Sequence, residues 1–180
     1  MFFQITSFLL DVAAGLLGGA CLLRLYMQVQ RIPFGNPVGR FVFALSDWIV
    51  LPLRKVLPGY RKWDLSSLVA AYLIELAQFG ILALMIGRGF GVVPVLAVFG
   101  LVRLAISGVI GLVIVYAILS WVQADSPIAD VLDRLAAPIL RPFRRIIPLV
   151  GGFDLSPLAL LVVLQVAAII VANLQDALLR

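Results

Sequence analysis

Four stretches of this chain are apolar almost without interruption: 5–26, 65–86, 92–122 and 155–175. A helix of about 20 such residues crosses a hydrocarbon core about 30 Å thick, so each stretch predicts a membrane-spanning helix. The third reads in two ways, because Arg103 interrupts it. It is either one long tilted helix, or 92–102 lies at the interface and the span begins at Leu104. Pro94 and Gly100 favour the split version, and Gly87-Arg88-Gly89-Phe90-Gly91 makes the turn before it.

The connectors after the first and third stretches have a different pattern. Ser126 is placed to N-cap a helix with Pro127 at its first position. Ile128, Val131, Leu132, Leu135 and Ile139 then recur at helical spacing, with Asp130, Asp133 and Arg134 toward the other face. This predicts a short amphipathic helix on the membrane surface, interrupted by Pro138. Asn36-Pro37-Val38 opens the matching stretch, where Phe41, Val42, Phe43 and Trp48 make a greasier copy that should sit deeper or against protein.

The match between connectors extends to residue identity. Residues 52–58 align with 142–148, and 64–68 with 154–158, ninety positions on and without a gap. Seven of the seventeen residues in 52–68 equal their partners, where chance gives roughly one or two. The expected fold is therefore an all-α membrane protein of about four transmembrane helices in two tandem repeats, 1–90 and 91–180. They form one integrated membrane domain. Each repeat holds two spans, so the repeats are parallel.

Composition and charge sharpen this picture. Hydrophobic residues make up 63% of the chain and charged ones only 13%, against about 25% charged in soluble domains. The first stretch lacks a basic n-region and a small-residue cleavage site, and reads as a retained span. Cys21 is the single cysteine, and there is no histidine. No disulfide, metal site or cofactor is expected, and no nucleophile elbow, Walker motif or other catalytic pattern is present. Gly15 and Gly19 make one G-x-x-x-G, a weak helix-contact signal.

The net charge of +5 is concentrated in the two connectors, in Arg31, Arg40, Arg54, Lys55, Arg61 and Lys62, and in Arg134, Arg141, Arg144 and Arg145. That asymmetry predicts cytoplasmic connectors and both termini on the opposite side. The cations are not interleaved with aromatics, so a nucleic acid is not the expected direct partner. Each connector ends in a Pro-x-Arg-Arg/Lys-x-x-Pro element, in which a proline at each end should stop any helix. Arg54, Lys55, Arg141, Arg144 and Arg145 are the candidate residues for anionic lipid or an acidic partner segment, each cation near such a leaflet contributing about 1 kcal/mol. Asp64 and Asp154 stand where they would cap the next span.

Inside the spans, Glu75 lies near the midplane, its repeat counterpart is Gln165, and Gln78 follows on the same face. Arg103 and Arg24 are the cations that could pair with Glu75. Such a residue is either a structural partner between helices or a proton- or ion-coupling group.

The stretches Ala117-Ile118-Leu119-Ser120-Trp121-Val122, Ser126-Pro127-Ile128, 138–148 and Gly151-Gly152-Phe153-Asp154-Leu155-Ser156-Pro157 resemble the signature of the YggT family, also called YlmG. The first half resembles a weaker copy, through Leu23-Arg24, Asn36-Pro37 and 52–58. Trp48 stands where the second copy has Pro138, and 59–62 replaces the Gly-Gly turn. The doubled form looks like the proteobacterial inner-membrane type, which implies periplasmic termini. The resemblance implies links to cell division or nucleoid distribution and to osmotic stress tolerance, and in plastid relatives to cytochrome maturation. The expected role is a non-enzymatic inner-membrane scaffold binding anionic membrane lipids and other membrane or division proteins. The doubled plan also allows a homo-oligomer. The alternatives are a small channel or ion-transport modulator in osmotic stress and a membrane-protein maturation factor.

Overall fold

The computed structural model describes residues 1–57, 64–122, 126–147 and 154–178, which contain six α-helices and no strand. They are α1 (Phe2–Val29), α2 (Pro37–Val56), α3 (Leu65–Met85), α4 (Val93–Trp121), α5 (Pro127–Arg144) and α6 (Ser156–Leu178). Shifted by ninety residues, α1, α2 and α3 become α4, α5 and α6. Four of these helices, α1, α3, α4 and α6, are long and apolar enough to cross a membrane. The molecule is a multi-pass membrane protein built from two tandem repeats.

Local signals set most of the ends. Asn36 accepts from the Gly39 N–H at 2.9 Å and Ser126 from the Ala129 N–H at 3.2 Å, with Pro37 and Pro127 at the first helical positions. Each cap satisfies one of the backbone donors that a helix start leaves open. At the far end of α3, Gly87 takes a φ of +64° that favours glycine, and the Arg88 N–H closes back onto the Ala83 carbonyl.

The third apolar stretch is one helix, not the split favoured by Pro94 and Gly100. A one-turn 3-10 segment, Phe90–Val92, leads directly into α4, which runs 29 residues without a break. Pro94 lies in the first turn, where its missing N–H would have no partner anyway. Gly100 marks a close approach: a Cβ there would overlap the Glu75 carboxylate and the Phe79 ring.

A second expectation also fails. Pro52 lies inside α2, and Pro138 and Pro142 lie inside α5, so these prolines do not stop the helices. A helical proline leaves the carbonyl four residues earlier without its donor. Those carbonyls belong to Trp48, Arg134 and Pro138, and the row they occupy includes the exposed residues Trp48, Pro52, Arg134 and Pro142. On such an exposed side water or headgroups can satisfy these carbonyls, which lets a helix tolerate the proline. The closing prolines, Pro58 and Pro148, lie outside the described residues, as do Arg61, Lys62, Asp125, Gly151 and Gly152.

Lipid supplies no hydrophobic drive between helices, so packing relies on small residues that let backbones approach. Ala14, Gly18 and Cys21 of α1, Ala70 and Ala71 of α3, and Ala97 and Gly100 of α4 are all buried. At the basic end, α2 buries Val42 and Val50, while α5 buries Val131, Leu135 and Leu140. One apolar cluster joins Met27, Ile32 and Val42 of the first half to Val131 and Leu135 of the second. The Tyr26 hydroxyl adds a bond to the Leu135 carbonyl at 2.7 Å. The greasier α2 does lie against protein, packed on α1 and α3, although Phe41 and Trp48 remain exposed.

Candidate functional site

The last turn of each amphipathic helix is tied to the start of the next span. Arg54 of α2 donates to Asp64 Oδ2, and Arg144 of α5 donates through Nε to Asp154 Oδ2 at 2.8 Å. Both arginines and both aspartates are repeat counterparts ten residues apart in sequence. The aspartates act in two directions. Asp64 accepts from the Ser67 N–H at 3.4 Å and the Ser67 hydroxyl at 2.7 Å, and so N-caps α3. Asp154 accepts from the Ser156 N–H at 2.9 Å at the start of α6. Each carboxylate thus holds a helix start and a guanidinium together.

The electrostatics follow this geometry. Burial pushes the Asp64 carboxyl up, but bonds from Arg54 and Ser67 outweigh it and hold the group below its ordinary 3.8. Burial acts likewise on Asp154, and Ser156 and Arg144 together pull it below the same value. Both aspartates are therefore anions at neutral pH.

The two copies differ in what surrounds the pair. In the first, Arg24 of α1 is completely enclosed, donating to Ser46 Oγ at 2.8 Å and Asp47 Oδ1 at 2.6 Å. Its guanidinium lies 4.7 Å from the Phe43 ring centre, and its Nε is 3.8 Å from Asp64 Oδ2, too far for a hydrogen bond. Arg24 is thus not a partner of Glu75: it lies one membrane level away, among acids of the basic end. In the second copy Ile114 stands at the Arg24 position and no acid replaces Asp47. There Arg144 instead donates through Nη2 to the Tyr116 hydroxyl, over whose ring it lies at 5.7 Å. The Asp154 side chain is 23% exposed, against 1% for Asp64.

The candidate cations therefore divide into two groups. Arg54 and Arg144 are ion-paired to the aspartates, although more than a third of each side chain stays exposed. Lys55, Arg141 and Arg145 are exposed and form no ion pair among the described residues. Arg141 and Arg145 are four residues apart on α5 and its C-cap, so they share one side of the helix end.

The intramembrane residues form a separate group. Glu75 is buried with its carboxylate against Gly100, and has no hydrogen bond or ion pair among the described residues. Arg103, the other candidate cation, is half-buried and forms no ion pair with it among the described residues. Gln78 donates its amide to Asp11 of α1. Gln165, the counterpart of Glu75, faces outward from the bundle.

Asp47 and Asp11 were not singled out from the sequence. Asp47 is the sole acid in α2, which makes it the natural partner for a cation near the end of α1. Asp11 follows from register: once Arg24 lies level with Asp64, antiparallel α1 and α3 place Asp11 opposite Gln78.

A family model described as CCB3/YggT matches the chain twice, over 3–85 and 95–175. The chain is 38% identical over 172 residues to a protein of Escherichia coli (strain K12) called "Uncharacterized protein YggT", covering 95% of this chain and 91% of that one. It is 32% identical over 173 residues to "Uncharacterized protein in proC 3'region" of Vibrio alginolyticus, covering 93% and 94%. No solved structure matches. With both halves matched and relatives 32–38% identical along most of their length, the chain belongs to the CCB3/YggT family.

Proposed function

We propose that the protein is a non-enzymatic membrane scaffold whose basic end binds anionic lipid and acidic segments of other membrane proteins. The observation that carries this reading is the division of labour within each repeated motif. One cation, Arg54 or Arg144, is locked to the aspartate that starts the next span. Its neighbour, Lys55 or Arg145, is left exposed beside it. The lock holds the helix end, and the free cations face outward at a fixed place on the bundle. The second copy is the stronger site, because Arg141 joins Arg145 there on one side of the helix end. The cation asymmetry favours a cytoplasmic position for this end in a bacterial inner membrane, with periplasmic termini. A role in cell division or osmotic stress tolerance fits such a scaffold.

The test is an in-membrane crosslinking pull-down, comparing wild type with Arg141→Glu plus Arg145→Glu, read by mass spectrometry of proteins and lipids. Neither residue takes part in the lock, so the variant should insert and fold. Loss of anionic lipid or of a specific protein from the variant is the expected result. Equal recovery from a stably inserted variant would overturn the proposal.

One observation favours a second reading, an ion-transport modulator. Glu75 is buried in a span with no hydrogen-bond or ion-pair partner among the described residues, and the Asp11–Gln78 pair lies about one turn along. Unchanged ion flux in vesicles carrying Glu75→Gln would exclude it.

A further inference from the structure

The repeat leaves one interface half-built. In the first half, α3 is packed on both sides, by α1 and by α4 of the second half. Its counterpart α6 packs on α4 and α5, and no packing of comparable extent joins it to α1 among the described residues. The missing neighbour is defined by the ninety-residue offset. Where α3 receives α4, α6 should receive a helix equivalent to α4, and that helix is α1.

The two unused faces carry matching chemistry. On α6, Gln165 stands where α3 has Glu75, nine residues into the span and so about 14 Å along it. It is exposed among Val162, Val166 and Ile169, with no hydrogen-bond partner among the described residues. Asn173 on the same helix solves this problem locally, donating to the Ile169 carbonyl at 2.9 Å, and Gln165 does not. A primary amide facing hydrocarbon without a partner is unfavourable, so a polar group is expected to meet it. On α1, the positions equivalent to Val93, Gly100 and Leu101 of the α4 contact face are Phe3, Leu10 and Asp11. Phe3 and Asp11 are exposed. Asp11 accepts from Gln78 through Oδ1, which leaves Oδ2 open to a second donor. Its depth is that of Gln78, three residues or about 4.5 Å from the level of Glu75 and hence of Gln165. A glutamine side chain spans that offset.

We propose that α6 docks against α1 of a second copy of this chain, with the Gln165 amide donating to Asp11 of that copy. Both complementary faces lie on one sequence, and the α3–α4 contact inside each chain is the template for their geometry. A second copy is therefore the occupant. Within one chain, among the described residues, α6 packs chiefly on α4 and α5 rather than on its own α1.

The experiment uses full-length chains in native membranes, with Cys21→Ala removing the sole natural thiol. One tagged chain carries Leu10→Cys and a second, differently tagged, carries Gln165→Cys; they are co-expressed and oxidised. A disulfide-linked species bearing both tags is expected, and it should be absent when the second cysteine is placed at Leu160, which faces inward. Two results would overturn the proposal: no mixed-tag species, or an intrachain link when both cysteines are on one chain and none between chains. A second readout keeps the hydrogen bond itself under test. Gln165→Leu, on the outside of the bundle, should lower self-association measured by energy transfer between labelled chains in vesicles by about three- to thirtyfold. Unchanged self-association would remove Gln165 from the contact.

Discussion

Replacing Arg24 by methionine should loosen the basic end of the first half by about 3 kcal/mol. The side chain is buried, donates to Ser46 and Asp47, lies over Phe43 and faces Asp64. Removing one member of a buried ion pair leaves the other uncompensated, at about 3–5 kcal/mol. Two features bring the value to the lower end. The Asp47 side chain is 41% exposed, so water can solvate it, and Asp64 keeps Arg54 and Ser67. Methionine retains the apolar stem, so the packing loss is small. Cys21 supplies the assay, because it is fully buried one turn from Arg24, in a cluster with Val50, Ala70 and Ala71. Its alkylation by a thiol reagent reports opening of the α1–α2–α3 contact. A loss of about 3 kcal/mol corresponds to roughly a hundredfold faster labelling. Asp47→Asn alone should speed labelling only a few-fold, and the double variant should fall short of the product of the two. Labelling of Arg24→Met within threefold of wild type would refute the reasoning that this network holds the half together.

Acid and packing give two further predictions. Asp64 and Asp154 sit below their ordinary pKa when folded, so they stabilise the fold above the unfolded value and lose that contribution as pH falls through the folded one. Melting temperature in detergent should be level from neutral pH to about 5 and fall on further acidification, less steeply in Asp154→Asn. Gly100→Val should destabilise by about 1–3 kcal/mol through overlap with the Glu75 carboxylate; adding Glu75→Ala should recover part of the loss in the same melting assay.

Where one residue's neighbours along the chain decide its structure, the sequence was informative. The spans, the Asn36 and Ser126 caps and the doubled plan all rest on periodicity or on side chains reaching two or three residues. The misread elements depend on what lies across the bundle. Pro52, Pro138 and Pro142 looked like helix stops because the rule against internal proline is local; it yields when the orphaned carbonyls fall on a wet face. Gly100 looked like a break, yet it is small because Glu75 lies against it from 25 positions away in sequence. Arg24 drew the wrong partner because Glu75 was the conspicuous acid, whereas the fold-back of α2 brings Asp47 and Asp64 within its reach. The candidate cations were legible as a set, but their separation into members paired with an aspartate and members without an ion pair among the described residues needed the geometry.

The position of the Arg24 network along the chain bears on how the molecule is made. Every member, Arg24, Ser46, Asp47, Arg54, Asp64 and Ser67, belongs to the first half. That half pairs its buried Arg24 and Asp64 with its own side chains, so its basic end can close while the rest is still being synthesised. The second half is not independent in the same way. Its α4 packs with Gly100 against Glu75 and Phe79 of α3, and α5 docks with its Leu135 carbonyl on Tyr26. Synthesis from the N-terminus therefore delivers a template first and the helices that lean on it afterwards, which gives the duplicated chain a direction of assembly that two halves of the same plan would not otherwise have.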